Sequence, residues 1–473
     1  MTGSLLRHVV VMASAGAVGL IAIFAVDLVN LVYISYLNQP AVTAAVGFAG
    51  GVGFFHISVM IGLTIGVGAV VSRNIGAGNH EEAKRIATAS MMWVGCITLV
   101  LATLSALFAP QLAGLLGARD EARDLAASFL RISAPSIPMM GIGMVGMALL
   151  RSIGDARRAM NVTLIAAFAT TLLDPFLIFF CHLGLSGAAI SMDLTRGMLG
   201  YFAWRGITRS HKLLARPASV RWVEDTRAVW PIALSAVMTN LATPVGQAFI
   251  THAMAQFGPL AVAGQLTIDR ISPVAFGLIF ALTGAVGPIV AQNFGARKPK
   301  RVVATLRASL IFVVVTVGLA WALLALAQNG LVAILKAHGE TETLLRFFCS
   351  WLAGGFLFTG CLFVANTSFN NLNQPLLATA FNWGRATLGT IPFVMIGIHY
   401  GPLGVISAQT GGSVVFGTLG LIVAFKIAAR SGGGNTEATD ALLGDAASIA
   451  ALPQSSGRAA IAAFILRRSR KET

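Results

Sequence analysis

The amino-acid sequence predicts an all-α membrane protein with twelve membrane-spanning helices in two pseudo-symmetric six-helix lobes. Composition, a series of apolar runs and an internal repeat support this prediction. The 473-residue chain is 56% hydrophobic and 11% charged, with a mean hydropathy of +0.79. A soluble protein of this length needs far more charge to cover its surface, so the composition indicates a polytopic membrane protein. The net charge of +15 falls between apolar runs and does not indicate nucleic-acid binding.

Twelve apolar runs are long enough to cross a hydrocarbon core of ~30 Å, which takes about 20 helical residues. Lys and Arg accumulate in the loops that follow even-numbered runs, whereas the opposite loops hold few of them. This bias predicts that both termini are cytoplasmic and that the chain lies in the inner cell membrane. The predicted spans are 9–36, 41–71, 87–109, 125–150, 160–181, 184–207, 228–255, 259–290, 302–327, 343–369, 376–398 and 402–428.

An internal repeat divides the spans into two sets of six. Residues 72–77 (SRNIGA) match 291–296 (AQNFGA) at an offset of 219, and 184–188 (GLSGA) match 401–405 (GPLGV) at an offset of 217. Because six is even, both lobes share one orientation, which places a cavity between them and favours alternating access. The predicted units are a first lobe (1–208), a cytoplasmic loop (209–227), a second lobe (228–429) and a flexible basic tail (430–473).

The tail holds a basic stretch at 458–471. Its apolar positions and its Arg/Lys cluster fit a helix on the anionic inner leaflet. A disordered basic tail fits the same residues, and the sequence leaves both interpretations open.

Five short stretches resemble motifs of the multidrug and toxic compound extrusion (MATE) exporters, and the similarity runs over about residues 5–428. It implies the MATE-type fold and secondary active efflux of organic, often cationic, compounds in exchange for H+ or Na+. We therefore expect a transporter rather than an enzyme, without a cofactor or metal, acting as a monomer on small organic molecules. The stretches are 71–79 (VSRNIGAGN), 83–85 (AKR), 150–160 (LRSIGDARRAM), 173–176 (LDPF) and 187–190 (GAAI).

Four aspartates fall inside predicted spans: Asp27, Asp174, Asp193 and Asp269. A carboxylate in hydrocarbon costs about 2.5–3.5 kcal/mol on insertion scales, so each needs a partner, a cavity or a proton. At 1.5 Å per residue, all four lie roughly 12–17 Å from the outer end of their spans. The sequence therefore predicts a polar pocket near the middle of the bilayer. The repeat places neutral residues at the second-lobe equivalents of the first three, which predicts ion coupling in the first lobe.

The resemblance implies a role for two of these acids. In the DinF-like and archaeal branch of the family, an aspartate of the first span and one of the fifth form the coupling site, and Asp27 and Asp174 match them. Asn30 shares a helix face with Asp27, and Thr170 precedes Asp174 by one turn. Asp193 is a further coupling candidate, although Arg196 at i+3 also fits simple neutralisation of its charge.

The sequence departs from the pocket patterns of both known branches. The archaeal-type pattern has Tyr, Asn and Thr where this chain has Ile23, Thr170 and Met192. The NorM-type branch uses a glutamate in the seventh span where this chain has Thr239. The chain is therefore nearer the DinF-like and archaeal branch, and the choice between H+ and Na+ stays open.

Five residues are candidates for the substrate cleft. Asn240 and Gln247 lie seven positions apart and hence on one helix face. Asp269, Asn366 and Met144 add a carboxylate, an amide and a flexible apolar side chain. Hydrogen bonding between helices and core packing are the alternative roles.

A lipid-linked precursor flippase of the same superfamily architecture is the alternative function. Four arginines inside predicted spans favour it, because a flippase tends to carry cationic cavity residues. Twelve spans and an acid-rich first lobe favour an exporter. The four arginines are Arg131, Arg196, Arg270 and Arg385.

Overall fold

The computed structural model describes residues 5–35, 40–215, 221–335 and 337–430. Within these ranges the regular elements are helices, without a strand, as the sequence predicted. Helices dominate because a spanning segment must satisfy its backbone hydrogen bonds internally. The tail from 431, including the basic stretch at 458–471, lies outside the described residues.

The first lobe contains spans one to six. Span four is two helices joined by a 3-10 turn at Ala134–Ser136, and span five ends in a π-helical turn at Phe176–Phe180 that follows Pro175. Proline removes a backbone donor, which accounts for the change of helix type in span five. The helices are α1 (Leu5–Ser35), α2 (Pro40–Ala77), α3 (His80–Leu107), the short α4 (Ala109–Leu115), α5 (Asp120–Ser133), α6 (Ile137–Ser152), α7 (Ala156–Pro175) and α8 (Gly184–Arg205).

The second lobe contains spans seven to twelve. Span eleven is interrupted at 387–390, just before Pro392. The helices are α9 (Trp222–Ala255), α10 (Pro259–Ala275), α11 (Gly277–Gly295), α12 (Pro299–Ile334), α13 (Gly339–Phe347), α14 (Phe356–Asn371), α15 (Pro375–Ala386), α16 (Ile391–Gly397) and α17 (Gly401–Arg430).

The described helices account for the twelve predicted spans. Ten segments are long and apolar enough to cross a membrane on their own. One of them, Pro375–Arg430, contains both span eleven and span twelve. Helix α8, which carries Asp193 and Arg196, completes the set.

The repeat extends to the backbone conformation. The 3-10 turn of span four, Ala134–Ser136, recurs at the equivalent position of span ten, Ala353–Gly355. Positive φ angles also recur at equivalent positions, at Gly78 (φ 85°) and Arg297 (φ 54°). Arginine rarely adopts this conformation, so the shared turn is a property of the fold rather than of one residue type.

The lobes meet at one end of the bundle, where α1 and α9 begin and α2 and α11 end. We call it the basic end, because its loops carry basic residues such as Arg158 and Lys298. Two contacts between the lobes depend on glycine. A Cβ atom at Gly16 of α1 would lie 3.3 Å from the Cβ of Ala281 in α11, and one at Gly66 of α2 would lie 2.7 Å from the Cβ of Ala233 in α9. Small residues allow this close helix approach.

Away from the basic end, the face of α2 that packs against α9 becomes exposed. Phe55 lies seven residues before Gly62, which packs against Val237 of α9, and the Phe55 side chain is 48% exposed. A Cβ atom at Gly53 would meet no atom within 4 Å. Gln247 lies ten residues beyond Val237 on α9, about 15 Å further towards the same end. We interpret this exposure as a cleft between the lobes that is closed at the basic end and open at the opposite end.

An ion pair fastens the start of α9 to the first lobe. Nε of Arg85 in α3 lies 2.9 and 3.1 Å from the carboxylate oxygens of Asp225, and the Arg221 backbone N–H donates to the same carboxylate at 2.9 Å. The Asp225 side chain is 1% exposed. Its charge therefore depends on these donors.

We predict that Asp225→Asn lowers the thermal stability of the purified protein. The change leaves the Arg85 guanidinium without a charged partner. The expected cost is on the order of 2 kcal/mol and is limited because Arg85 is itself partly solvated. Thermal unfolding in detergent measures the effect. Glu224→Gln is the control, since its pair with Arg221 is exposed on both sides and is worth about 0.5 kcal/mol or less. Equal melting temperatures for the two variants would contradict the assignment.

Asp155 caps α7 at the basic end. Its carboxylate accepts a hydrogen bond from the Arg158 backbone N–H at 3.0 Å and pairs with Nε2 of His211 at 2.8 Å. Burial alone raises the pKa of Asp155, but the hydrogen bonds from His211 and Arg158 and their charges outweigh burial and hold the pKa below its usual value. A depressed carboxylate pKa contributes stability that is lost only as pH falls below the ordinary pKa of the unfolded chain.

We predict that Asp155→Ala costs about 1 kcal/mol through loss of the cap, whereas Asp155→Asn keeps the cap and costs less. Because the lost contribution belongs to the ionised carboxylate, the advantage of the wild type over Asp155→Asn should not shrink between about pH 7 and about pH 5. Melting temperatures of the three proteins across this range test both statements. An advantage that fades well above pH 5 would be inconsistent with a depressed pKa.

Candidate functional site

Asp174 is a buried first-lobe carboxylate without a cationic partner. It stands near the end of α7, before Pro175 and the π-helical turn, and its side chain is 2% exposed. Its neighbouring polar group is the hydroxyl of Ser191 in α8. Among the described residues no Lys, Arg or His lies within ion-pair distance of it. A carboxylate in this setting needs a proton or a bound cation to offset its desolvation.

Helix α1 brings the backbone of Asp27 to a similar level. A Cβ atom at Gly19 would lie 3.2 Å from Thr163 of α7, which fixes how the two helices lie side by side. Asp27 is eight residues beyond Gly19, and Asp174 is eleven beyond Thr163. At 1.5 Å per residue these are about 12 and 17 Å towards the open end of the cleft. The Asp27 side chain lies outside the described residues.

The two polar companions of these acids differ in their bonding. The Asn30 amide oxygen is buried, and no donor from the described residues reaches it. The Thr170 hydroxyl donates to the Ala166 carbonyl of its own helix at 3.0 Å. Thr170 is therefore occupied by the backbone, whereas Asn30 keeps an acceptor to offer.

Asp193 belongs to a separate cluster with Arg196. Nη1 of Arg196 donates to the Ser136 hydroxyl at 3.2 Å and to the Ser133 carbonyl at 3.4 Å. The Asp193 side chain also reaches Ser136, while its Oδ1 atom has no donor among the described residues. The i+3 spacing of Asp193 and Arg196 thus gives no direct ion pair. Both groups meet at Ser136, in the 3-10 turn of span four.

His56 extends this cluster into α2. Its Nε2 atom lies 2.7 Å from the Ser105 hydroxyl, and the side chain is 5% exposed. Arg196 is close enough to act on it electrostatically. His56 was not among the site residues predicted from the sequence. An imidazole in the middle of an apolar span was the signal that could have indicated it.

In the second lobe, Asp269 lies between two glutamines. Nε2 of Gln247 donates to one carboxylate oxygen, and Nε2 of Gln265 donates to the other at 3.1 Å. Arg270 is exposed and makes no ion pair with Asp269 in the described structure. The structure thus joins two cleft candidates, Gln247 and Asp269. Gln265 was not predicted, although it precedes Asp269 by four residues on one helix face.

The remaining cleft candidates occupy different surroundings. The Asn240 amide donates to the Ala236 carbonyl at 2.8 Å, and Asn240 is seven residues from Gln247 on α9. Asn366 is buried within α14, and its amide oxygen has no donor among the described residues. Met144 packs against the first-lobe core beside Met140, which fits the core-packing alternative.

The three acids whose side chains are described, at positions 174, 193 and 269, do not share one pocket through direct contacts. The side chain of Asp174 faces Ser191, that of Asp193 faces Ser136, and that of Asp269 faces the two glutamines of the second lobe. Depth along the spans was inferable from the sequence, but the partner of each acid depends on the rotation of its helix. In the described first lobe, Asp174 is the fully buried carboxylate without a cation in its surroundings, whereas Asp193 has Arg196 nearby.

A family model described as MatE matches the chain twice, over residues 16–176 and 235–396. The two matched stretches start 219 residues apart, which equals the first of the two offsets of the internal repeat. Together the stretches cover more than half of the chain. The match therefore supports both the family and the duplication.

Two curated relatives carry different substrate names. The FAD transporter of Shewanella oneidensis is 28% identical over 368 residues, which is 75% of this chain and 80% of that protein. The multidrug export protein MepA of Staphylococcus haemolyticus is 24% identical over 309 residues, 63% of this chain and 68% of that protein.

Solved structures share the fold. The Vibrio cholerae MATE transporter VcmN in its bent form superposes with a TM-score of 0.85 at 22% identity, over 90% of this chain and 98% of that one. A multidrug resistance MATE transporter of the MOP superfamily in an outward-facing conformation gives 0.86 at 19% identity, over 91% and 97%. With the two family-model matches, these likenesses identify the chain as a membrane transporter that belongs to the MatE family.

Proposed function

We propose that this transporter exports organic, often cationic, compounds across the inner cell membrane in exchange for H+ or Na+. The observation that carries the proposal is the buried, unpaired carboxylate of Asp174 in the first lobe. A group that is costly to keep ionised drives the uptake of a proton or metal cation. The name of the MepA relative, a multidrug export protein, supports the substrate class.

The proposed cycle follows from differential binding. With the cleft open at the end away from the basic loops, an external cation reaches Asp174 and the neighbouring Asp27. Neutralisation removes the electrostatic attraction for a cationic substrate, so that the substrate leaves and the lobes can close over the neutral site. Ions can shift this equilibrium only because they bind one state better than the other. Asn30, whose amide oxygen has no donor among the described residues, offers a further acceptor to the ion.

The basic end is the cytoplasmic side in this proposal. Lys and Arg accumulate there, as the positive-inside rule requires. Both chain termini are then cytoplasmic, and the open cleft faces outwards. A monomer contains both lobes and hence the whole proposed pathway.

We predict that Asp174→Asn reduces gradient-driven transport between about 5- and 150-fold, the range of a typical coupling free energy. Asparagine cannot change charge, so the ion loses its preference for one state. Proteoliposomes that contain a fluorescent cationic dye, with pH and sodium gradients imposed separately, measure the effect and identify the ion.

The matched control is Asp124→Asn, which removes an exposed acid from α5. It should transport like the wild type. Full coupled transport by Asp174→Asn, with either gradient, would overturn the assignment of Asp174.

The pair of Gln247 and Asp269 is the proposed contact for the charged end of the substrate. The carboxylate is partly exposed, it is held against α9 by Gln247, and its two neighbours are neutral donors. An organic ammonium group could replace either amide as the donor, and a charge-assisted hydrogen bond is stronger than a neutral one.

We predict that Asp269→Asn raises the KM for cationic substrates about tenfold, equivalent to one lost charge-assisted hydrogen bond, and leaves kcat nearly unchanged. A neutral substrate serves as the internal control and should keep its KM. Initial rates in the same proteoliposomes provide both constants. A lower kcat with an unchanged KM would instead make Asp269 a coupling residue.

Flavin adenine dinucleotide is the counter-test, because the Shewanella relative is named for it. It is an anion, so removing the Asp269 charge should not weaken its transport. Transport of this dinucleotide with rejection of every cationic dye would overturn the proposed substrate class. Movement of a lipid-linked precursor without dye transport would favour the flippase alternative.

A further inference from the structure

At the basic end, α2 and α11 cross with almost no space between their backbones. A Cβ atom at Gly76 would collide with the backbone of Gln292, and one at Gly295 would collide with the Arg73 carbonyl. Each glycine packs against the residue that lies three positions before the other glycine. Gly76 and Gly295 are equivalent positions of the internal repeat, and so are Arg73 and Gln292. The crossing therefore obeys the internal two-fold symmetry.

Two hydrogen bonds between the lobes obey the same symmetry. Nη2 of Arg73 donates to the Asn371 carbonyl at 3.4 Å. Nε2 of Gln292 donates to the Ser152 carbonyl. Ser152 and Asn371 end spans four and ten and are again equivalent positions of the repeat. Each lobe thus donates one side-chain hydrogen bond to the equivalent carbonyl of the other lobe.

The two halves of this arrangement differ in strength. Arg73 also donates from Nη1 to the Asn373 side chain, and its Cζ atom lies 5.6 Å from the centre of the Phe294 ring. A charged donor and a cation–π contact both add to the first half. Gln292 is neutral and makes one hydrogen bond between the lobes.

The close crossing of α2 and α11, its two-fold symmetry and the unequal strength of its two hydrogen bonds are together typical of a gate. We propose that Arg73 and Gln292 are the paired latches that hold the basic end closed, and that Arg73 is the stronger latch. Any state open at this end must separate Gly76 from Gln292 and Gly295 from Arg73, which breaks both latches at once. The inference rests on alternating access in the proposed function, but its test needs neither a substrate nor an ion gradient.

The test is a distance measurement across the gate. Spin labels at Asn79→Cys and Lys298→Cys, in a background without the native cysteines, report the separation by double electron–electron resonance. Both positions are exposed, and they are equivalent in the repeat. The wild type in nanodiscs should show mainly the short, closed distance.

Arg73→Gln should lower the ratio of closed to open molecules about tenfold or more, because a charged donor is lost. Gln292→Leu should lower it about fivefold, because a neutral hydrogen bond is lost. Gly76→Ala should also favour the open distance, since its methyl group separates the two backbones. Arg209→Gln removes an exposed positive charge of the same end and should leave the distances unchanged.

The decisive variant combines Arg73→Gln with Gln292→Arg. If the two positions are equivalent latches, arginine at 292 replaces the neutral hydrogen bond to Ser152 with a charge-assisted one. It does not restore the contacts of Arg73 with Asn373 and Phe294, so closure returns in part. A double variant that is no more closed than Arg73→Gln alone would overturn the paired gate. Unchanged distances in both Arg73→Gln and Gly76→Ala would show that the gate lies elsewhere.

Discussion

The architecture depends on the close approach of helices from different lobes at small residues. Lipid tails are as apolar as leucine, so helices in a membrane associate through tight packing and hydrogen bonds rather than through the hydrophobic effect. Gly16, Gly66 and Gly76 each pack against a residue of the second lobe at a distance that leaves little or no room for a Cβ atom. These positions lie towards the basic end, and away from it the face of α2 that packs against α9 becomes exposed. One set of contacts therefore produces both a closed end and an open cleft.

The buried charges differ in how their desolvation is offset. A structural ion pair such as Arg85 with Asp225 satisfies its carboxylate completely and fastens the lobes near the linker. Asp174 has no such cation among the described residues, and Asp269 has two neutral amides. Because each carboxylate is desolvated in different surroundings, the three differ in their affinity for a proton, a metal ion or an organic cation. The proposed division of tasks between the lobes follows from this difference in surroundings.

Much of the fold was predictable because its signals are local or periodic. Apolar length indicated the spans, and the matched glycine-containing stretches indicated the repeat, which the family-model matches reproduce. Rotation of each helix was not predictable, since a span that is apolar all round has no distinct face. The partners of His56 and Gln265 were hidden for this reason, although both are polar residues inside predicted spans. Met144, a cleft candidate by composition, packs against the core.

Local breaks were predictable only in part. A proline such as Pro175 disturbs a helix, but its position alone does not predict the π-helical turn that follows it. The equivalent Pro392 follows an interruption at 387–390, where a Cβ atom at Gly412 would collide with the Gly389 carbonyl. Such breaks depend on tertiary contacts that one sequence does not reveal.

In the proposed outward-open state, this MatE-family transporter holds its cleft open to the outside while its basic end is closed on the cytoplasmic side. Reaction of single cysteines with a membrane-impermeant maleimide tests this state most directly. We predict that Phe55→Cys, in the cleft, reacts in intact cells. Lys300→Cys, at the basic end, should react only in inside-out vesicles. Labelling of Lys300→Cys from outside intact cells, with Phe55→Cys protected, would contradict the proposed orientation and state.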